Sequence, residues 1–255
     1  MSNDPLQDII EDAKKLVQAA AHPHKGTLSL SPETAARLEN LSAVAKEVRA
    51  EAAMEPIAAA PVSVDPIERL KILAETVRQC QQCDLCEGRI QTVFGQGSPT
   101  ADLVFVGEAP GEEEDRQGLP FVGPSGQLFT DIITKGMKMK REDVYICNVI
   151  KCRPPNNRDP LPEEKDACEP YFLQQLDYVQ PKVICALGGH AAKTLLKTDA
   201  STGSLRGKWH FYHGIPLRVT YHPAYLIRSP SEKAKTWVDI QEVMKVLNGE
   251  ISPTL

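Results

Sequence analysis

The sequence predicts an α/β fold, with helices layered on both faces of a four-stranded, mainly parallel sheet. Three observations predict it. Four short apolar runs lie between residues 103 and 221. Helical stretches alternate with them, which is the signature of βαβ units. Three of the runs stop at Gly or at His-Pro, as strands do where the chain must turn away.

The elements follow in order. A helix over 66–79 leads into the first cysteines. Leu103-Val104-Phe105-Val106 is a buried strand ending at Gly107, followed by a helical stretch near 125–135. The run Val144–Ile150 is the second strand, and 162–178 the next helix. Val183–Leu187 is the third strand; it ends at Gly188-Gly189, where a helix over 189–197 starts. His210 and His213 flank Phe211-Tyr212 in a hairpin that leads to the fourth strand, Pro216–Tyr221. That strand ends at His222-Pro223, and a last helix covers 232–248. In such sheets ligands bind at the carboxyl ends of the strands. The segments to watch are therefore Gly107–Asp115, Asn148–Arg158, Gly188–His190 and His222–Pro230.

Two regions divide the chain: an extension over 1–66 and a catalytic-size domain over 67–250. Residues 1–66 carry 10 acids and 6 bases and contain neither Cys nor an aromatic residue, so they can build only a weak core. Residues 5–21 and 31–53 read as helices, the second with Ser31 as cap and Pro32 at its first position. Residues 55–66 are Ala/Pro-rich and read as a linker. A helical or partly disordered extension of this kind suits a tether, an accessory helical pair or an arm for an unidentified protein partner.

Composition narrows the function. The 255 residues are 42% hydrophobic with a formal charge of −5, which excludes wholesale disorder and a polycation that wraps nucleic acid with its whole surface. No run of 18 apolar residues exists, so no membrane span is expected. The acidic start MSNDPLQDIIEDAKK lacks a signal peptide's pattern, which predicts a cytosolic protein. In a reducing compartment the seven cysteines point to metal or catalysis rather than disulfides. Cys80 and Cys83 form a C-x₂-C pair, and Cys152 and Cys168 a second, wider one. Four such sulfurs suit either tetrahedral zinc or an iron–sulfur cluster. Cys86 extends the first pair to C-x₂-C-x₂-C, and spacing alone does not say which two would bind. Cys147 and Cys185 sit inside apolar strands and read as core residues.

Five carboxylates crowd Gly107–Asp115: Glu108, Glu112, Glu113, Glu114 and Asp115. They read either as a solvated loop or as a site that handles protons and water. The Gly-Lys-Ser/Thr ending of a phosphate-binding loop is missing. Two segments are basic: 135–158 holds seven bases against two acids, and 204–236 six against one. Such segments on a near-neutral domain suit a groove for phosphates.

The combination GEAPGEEED, LPFVGPSG, NVIKCRPPNNR and HPAYLIRSP resembles the family 4 uracil-DNA glycosylases, the iron–sulfur type of bacteria and archaea. The likeness runs from about Cys80 to Leu247, with the motifs in the family's order. It implies a uracil-DNA glycosylase-like three-layer α/β/α sandwich and a base-excision-repair enzyme of the bacterial cytosol or nucleoid, acting as a monomer on uracil-containing DNA. It also implies a [4Fe-4S] cluster on Cys80, Cys83, Cys152 and Cys168, with Cys86 left without a job. The uracil-binding positions fall on Gly107, Glu108, Ala109, Phe121, Asn148 and His222, and the duplex-wedging tip on Leu226, Ile227 and Arg228. His222 and a carboxylate would carry the chemistry. Family 1 enzymes have Asp where this chain has Ala109, so the water-positioning role falls on Glu108, with Glu114 as its competitor. A relative of family 4 forms a covalent adduct through a histidine in an added basic loop; no such insertion is present here, so ordinary turnover is expected. The readings set against this enzyme are a catalytically idle DNA-binding module of the same fold and an unrelated zinc protein.

Overall fold

The computed structural model describes residues 65–254. The expected helices over 5–21 and 31–53, and the linker up to residue 64, lie outside the described residues.

Helix α1 (Pro66–Arg78) starts where the Asp65 carboxylate accepts the Ile67 amide at 3.1 Å and Pro66 takes the first turn. Its buried stripe is Leu70, Leu73 and Val77. A short helix α2 (Leu85–Gly88) follows, then strands β1 (Gln96–Gly97) and β2 (Leu103–Gly107), helix α3 (Glu112–Gln117) and helix α4 (Pro124–Asp131), which runs into a π turn over Ile132–Gly136. Strand β3 (Tyr145–Asn148), helix α5 (Pro162–Val179), strand β4 (Val183–Leu187) and helices α6 (Gly189–Leu196) and α7 (Thr202–Leu205) come next. Strands β5 (Trp209–Tyr212) and β6 (Ile215–Thr220) form a hairpin, followed by helices α8 (Pro223–Arg228) and α9 (Lys233–Leu247).

The sheet has six strands in the order β1-β3-β2-β4-β6-β5. The four expected strands form its parallel centre, and two antiparallel edge strands are added to them. The edge strands lack the continuous apolar run that marks a strand buried on both faces: β1 is only two residues, and β5 is mostly half-buried. The second apolar run is trimmed as well. Its strand ends at Asn148, though the Val149 and Ile150 amides still donate to the Gly107 and Glu108 carbonyls.

Alternating side chains of the sheet feed two cores. Val104, Val106, Cys147, Ile184 and Val219 meet Leu70, Phe172 and Leu195 of α1, α5 and α6 on one face. Leu103, Phe105, Ile146 and Cys185 meet Phe129 of α4 and Ile240 and Val243 of α9 on the other. Phe105 and Phe129 pack edge to face at 4.9 Å, a geometry that adds about 0.5–1.5 kcal/mol beyond area burial. Cys147 and Cys185 are fully buried core residues, as expected. This three-layer stack aligns the carboxyl ends of β2, β3, β4 and β6 along one rim. There Gly107 pairs with Asn148, and Leu187 with Thr220.

Candidate functional site

A cleft of about 830 Å³ opens along that rim. Glu108 and Ala109 enter it from the end of β2, Asn148 from β3, Gly188 from the end of β4, His190 from the first turn of α6, and His222 from the end of β6. Glu114 and Phe121 reach it from α3 and the loop that follows. The sequence-predicted uracil-binding and catalytic positions therefore meet in one place; Gly107, although it does not line the cleft, lies directly beneath them.

Gly107 is what lets them meet. A Cβ there would lie 2.2 Å from Asn148 Oδ1 and 2.8 Å from Phe121 Cζ, so only hydrogen fits between the strand end, the amide and the ring. Asn148 is buried and presents an amide to the cleft. Phe121 has φ +53°, an uncommon conformation for a bulky residue. Its loop is clamped from two sides. Arg141 donates to the Pro120 and Phe121 carbonyls at 2.6 and 3.2 Å, and Glu114 Oε1 accepts the Val122 and Gly123 amides at 2.9 and 3.1 Å.

Across the cleft, the His222 ring lies 5.7 Å from the Phe121 ring. His222 caps α8: its Nδ1 accepts the Ala224 amide at 3.1 Å. That bond fixes the tautomer and leaves the proton on Nε2. Burial lowers the ring's pKa to about 4, outweighing the opposing pull of Glu114, so the imidazole is neutral at neutral pH. Gly188, at φ +93°, packs so closely that a Cβ would lie 2.9 Å from His222 Cβ.

Glu108 is mostly buried, and burial raises its pKa despite His190 and Lys165 nearby. Its Oε1 makes no hydrogen bond; Lys165 Nζ stands 3.8 Å from it. Its Oε2 faces His190 Nδ1 at 3.8 Å, and His190 in turn faces Asp159 at 3.3 Å. Sequence reasoning noticed His190 only as the end of a strand-loop segment and passed over Asp159.

Two expectations change here. The acidic segment is a helix rather than a free loop. Asp115 is 1% exposed and accepts the Ile90 and Gln91 amides, so it is structural. The His222–Pro230 segment is likewise a helix, with Pro223 and Leu226 facing inward. Leu226 is 1% exposed and packs in the core, so it does not belong to a protruding tip. The outward residues are Tyr225, Ile227 and Arg228. Tyr225 and Arg228 line the cleft, and the Tyr225 ring packs, tilted, against Tyr221 at 4.9 Å.

The basic segments are also partly internal. Arg206 and Arg218 both pair with buried Asp239, and Lys151 is buried. Arg153 pairs with Glu112, and Arg158 with Glu164.

On the far side of the Asn148–Cys152 loop, Cys80, Cys83, Cys86, Cys152 and Cys168 enclose one small cavity. Arg89 donates to Cys152 Sγ at 3.2 Å, and the Lys151 amide to Cys168 Sγ at 3.3 Å. Burial pushes the Cys168 thiol up to about 11. Among the described residues the trio of potential metal ligands whose atoms all lie within 4.8 Å of one another is Glu108, Asp159 and His190; the cysteine sulfurs are more widely spaced.

The pattern of the uracil DNA glycosylase superfamily matches residues 94–242, which include the ends of β2, β3, β4 and β6 that form the cleft rim. The chain belongs to the uracil-DNA glycosylase superfamily. Within it, the type-4 uracil-DNA glycosylase of Saccharolobus solfataricus is 40% identical over 192 residues, covering 72% of this chain and 89% of that protein. The type-4 enzyme of Thermotoga maritima is 41% identical over 187 residues, covering 72% of this chain and 97% of its own. That of Archaeoglobus fulgidus is 39% identical over 197 residues, covering 74% and 98%.

Proposed function

We propose that this protein hydrolyses the N-glycosidic bond of uracil in DNA and leaves an abasic site, the first step of base-excision repair. The observation that carries the reading is the convergence of a buried amide, a stacked ring, a neutral imidazole donor and a carboxylate in one cleft. A base inside a duplex is out of reach, so the nucleotide must flip into the cleft.

Asn148 offers one donor and one acceptor, which match uracil O4 and N3–H. Cytosine presents the opposite pair and would leave both unsatisfied, at about 1–3 kcal/mol each. Phe121 stacks on the base, worth about 1–3 kcal/mol by analogy with single-strand binders. The Gly107–Ala109 turn approaches the base through its backbone. As the bond breaks, negative charge grows on uracil O2 and positive charge on the sugar. The Nε2–H of neutral His222 donates to O2; one such donor is worth about 2.7–4 kcal/mol in oxyanion sites. Because the imidazole is uncharged, it stabilises the anion by a hydrogen bond without having to shed a proton. Glu108, whose side chain lines the cleft, positions the attacking water and offsets the sugar's charge. Glu114 spends one oxygen on the Phe121 loop, which makes it the organiser of the stacking ring. Ile227 and Arg228 contact the duplex, with Tyr225 beside them.

The cysteine cavity suits a [4Fe-4S] cluster on Cys80, Cys83, Cys152 and Cys168. The family 4 resemblance favours this group over a tetrahedral zinc on the same four sulfurs. N–H groups aimed at Cys152 and Cys168 suit thiolates. When bound, the cluster supplies a structural tie between residues 80–83 and the loop behind Asn148; the hydrolysis moves no electrons. Cys86 lines the same cavity and has no assigned role. The protein works as a monomer in the cytosol, and its extension over 1–66 serves as an arm for a protein partner. Among the described residues no helix is long and apolar enough to cross a membrane.

The test is a uracil-containing oligonucleotide, cleaved by alkali after treatment and resolved on a gel. Cutting at uracil and not at thymine, lost in Asn148→Ala, is the expected result. Intact uracil strands with folded, iron-loaded protein would leave only the idle DNA-binding module.

A further inference from the structure

Lys151 is buried to 1% exposure in the loop that joins Asn148 to Cys152. Its Nζ donates to the Asn148 backbone carbonyl at 2.6 Å and to Gln175 Oε1, both uncharged. The rings of Phe94 and Phe172 lie 6.0 and 5.6 Å from it. Gln175 is itself held by the Phe94 carbonyl at 2.9 Å and the Tyr145 hydroxyl at 2.8 Å, so the socket is rigid. A buried ammonium among neutral partners is costly unless negative charge lies close by. The cysteines supply it: Lys151 lines the cavity that they enclose, and its backbone amide donates to Cys168 Sγ. Four thiolates around an iron–sulfur cluster carry net negative charge.

We propose that Lys151 is a positioning residue that couples the cysteine centre to the base reader. Its ammonium is the internal counter-charge of the cluster, and the same ammonium holds the backbone of Asn148 where the amide must meet uracil. This rests on the cluster reading above. Loss of the cluster leaves the lysine uncompensated and loosens its grip on the Asn148 carbonyl, so damage at the metal centre reaches the pocket through one side chain.

The test uses the full-length iron-loaded protein. Lys151→Met removes the charge and the hydrogen bond together. The cluster's reductive midpoint, followed by visible absorbance, should move to lower potential, because a cation that favours the more negative cluster is gone. Binding of free uracil should weaken about tenfold, the lower end of losses seen for outer-shell partners. Gln175→Glu keeps Lys151 and gives it a carboxylate, at the loss of the amide's donation to the Phe94 carbonyl and the Tyr145 hydroxyl. It should lower the midpoint while leaving uracil affinity within a few-fold of wild type, and it carries the test alone if Lys151→Met does not fold. Folded wild-type protein without iron overturns the cluster reading and this coupling with it. Iron-loaded variants whose midpoint and uracil affinity match wild type overturn the coupling alone.

Discussion

Gly107→Ala is the smallest change that should close the pocket. The added methyl would stand 2.2 Å from Asn148 Oδ1 and 2.8 and 3.2 Å from two Phe121 ring carbons. Ordinary contacts of this kind lie beyond 3.4 Å, so Asn148 Oδ1 must give more than 1 Å and the Phe121 ring about half as much. None yields easily. Asn148 is buried, Phe121 is held by Arg141 and Glu114, and the strand under Gly107 pairs with β3 on one side and β4 on the other. Overpacking of this kind costs about 1–3 kcal/mol of stability. A reactive group displaced by about 1 Å costs about 10²-fold in rate, which is about 2.7 kcal/mol of barrier. The assay is kcat/KM on a single-uracil oligonucleotide, with thermal melting on the same samples. Gly88→Ala, where an added Cβ meets nothing within 4 Å, is the control. A Gly107→Ala enzyme within threefold of wild type would refute the claim that this contact sets the base-reading geometry.

The remaining expectations concern the other parts of the cleft. His222 is held neutral by burial, so kcat/KM should show no ionisation of this ring near 6.5 and should lose its contribution only toward pH 4. Because its folded pKa lies below the unfolded value, the unfolded chain takes up its proton first. Stability should therefore fall as pH drops from about 6.5 toward 4, and His222→Gln should flatten that part of the melting profile. Glu108→Gln should lower kcat by about 10²–10⁴ with little change in DNA affinity, and Glu114→Gln, which keeps an acceptor for the Val122 amide, should lose much less. Cys152→Ala should remove the brown colour and the dithionite-bleachable absorbance and weaken DNA binding along with stability; stoichiometric zinc in a colourless, active wild-type protein would contradict this. No SDS-stable complex with uracil-containing DNA should form.

The parallel strands were legible because a strand buried on both faces must be apolar at every position. β1 and β5 face solvent on one side and left no such mark. The acidic helix α3 was hidden by its composition: carboxylates favour a helix's first turn, but a run of them reads as loop. The cleft's location follows from strand polarity, whereas the base-reading roles proposed for Asn148 and Phe121 come only with the family resemblance, since neither has a spacing of its own to betray it. Leu226 enters the wedging tip through the family resemblance alone, which carries no information on burial. The signal was present in Pro223 and Leu226, three residues apart and both apolar, the inward spacing of one helical turn. Lys151, Arg206 and Arg218 count toward the two basic segments although they are largely internal, because a formal charge count does not tell a buried cation from an exposed one.

Cys152 and Cys168 are not appended to a finished fold; they belong to the same core as Phe172, Val104 and Val219. On the cluster reading, metal insertion is then a step in completing one face of the sheet. On that reading, a chain made without iron would leave the cysteine corner of this core incompletely tied. The amount of working repair enzyme would follow the cell's iron supply and its cluster-assembly capacity as closely as it follows transcription.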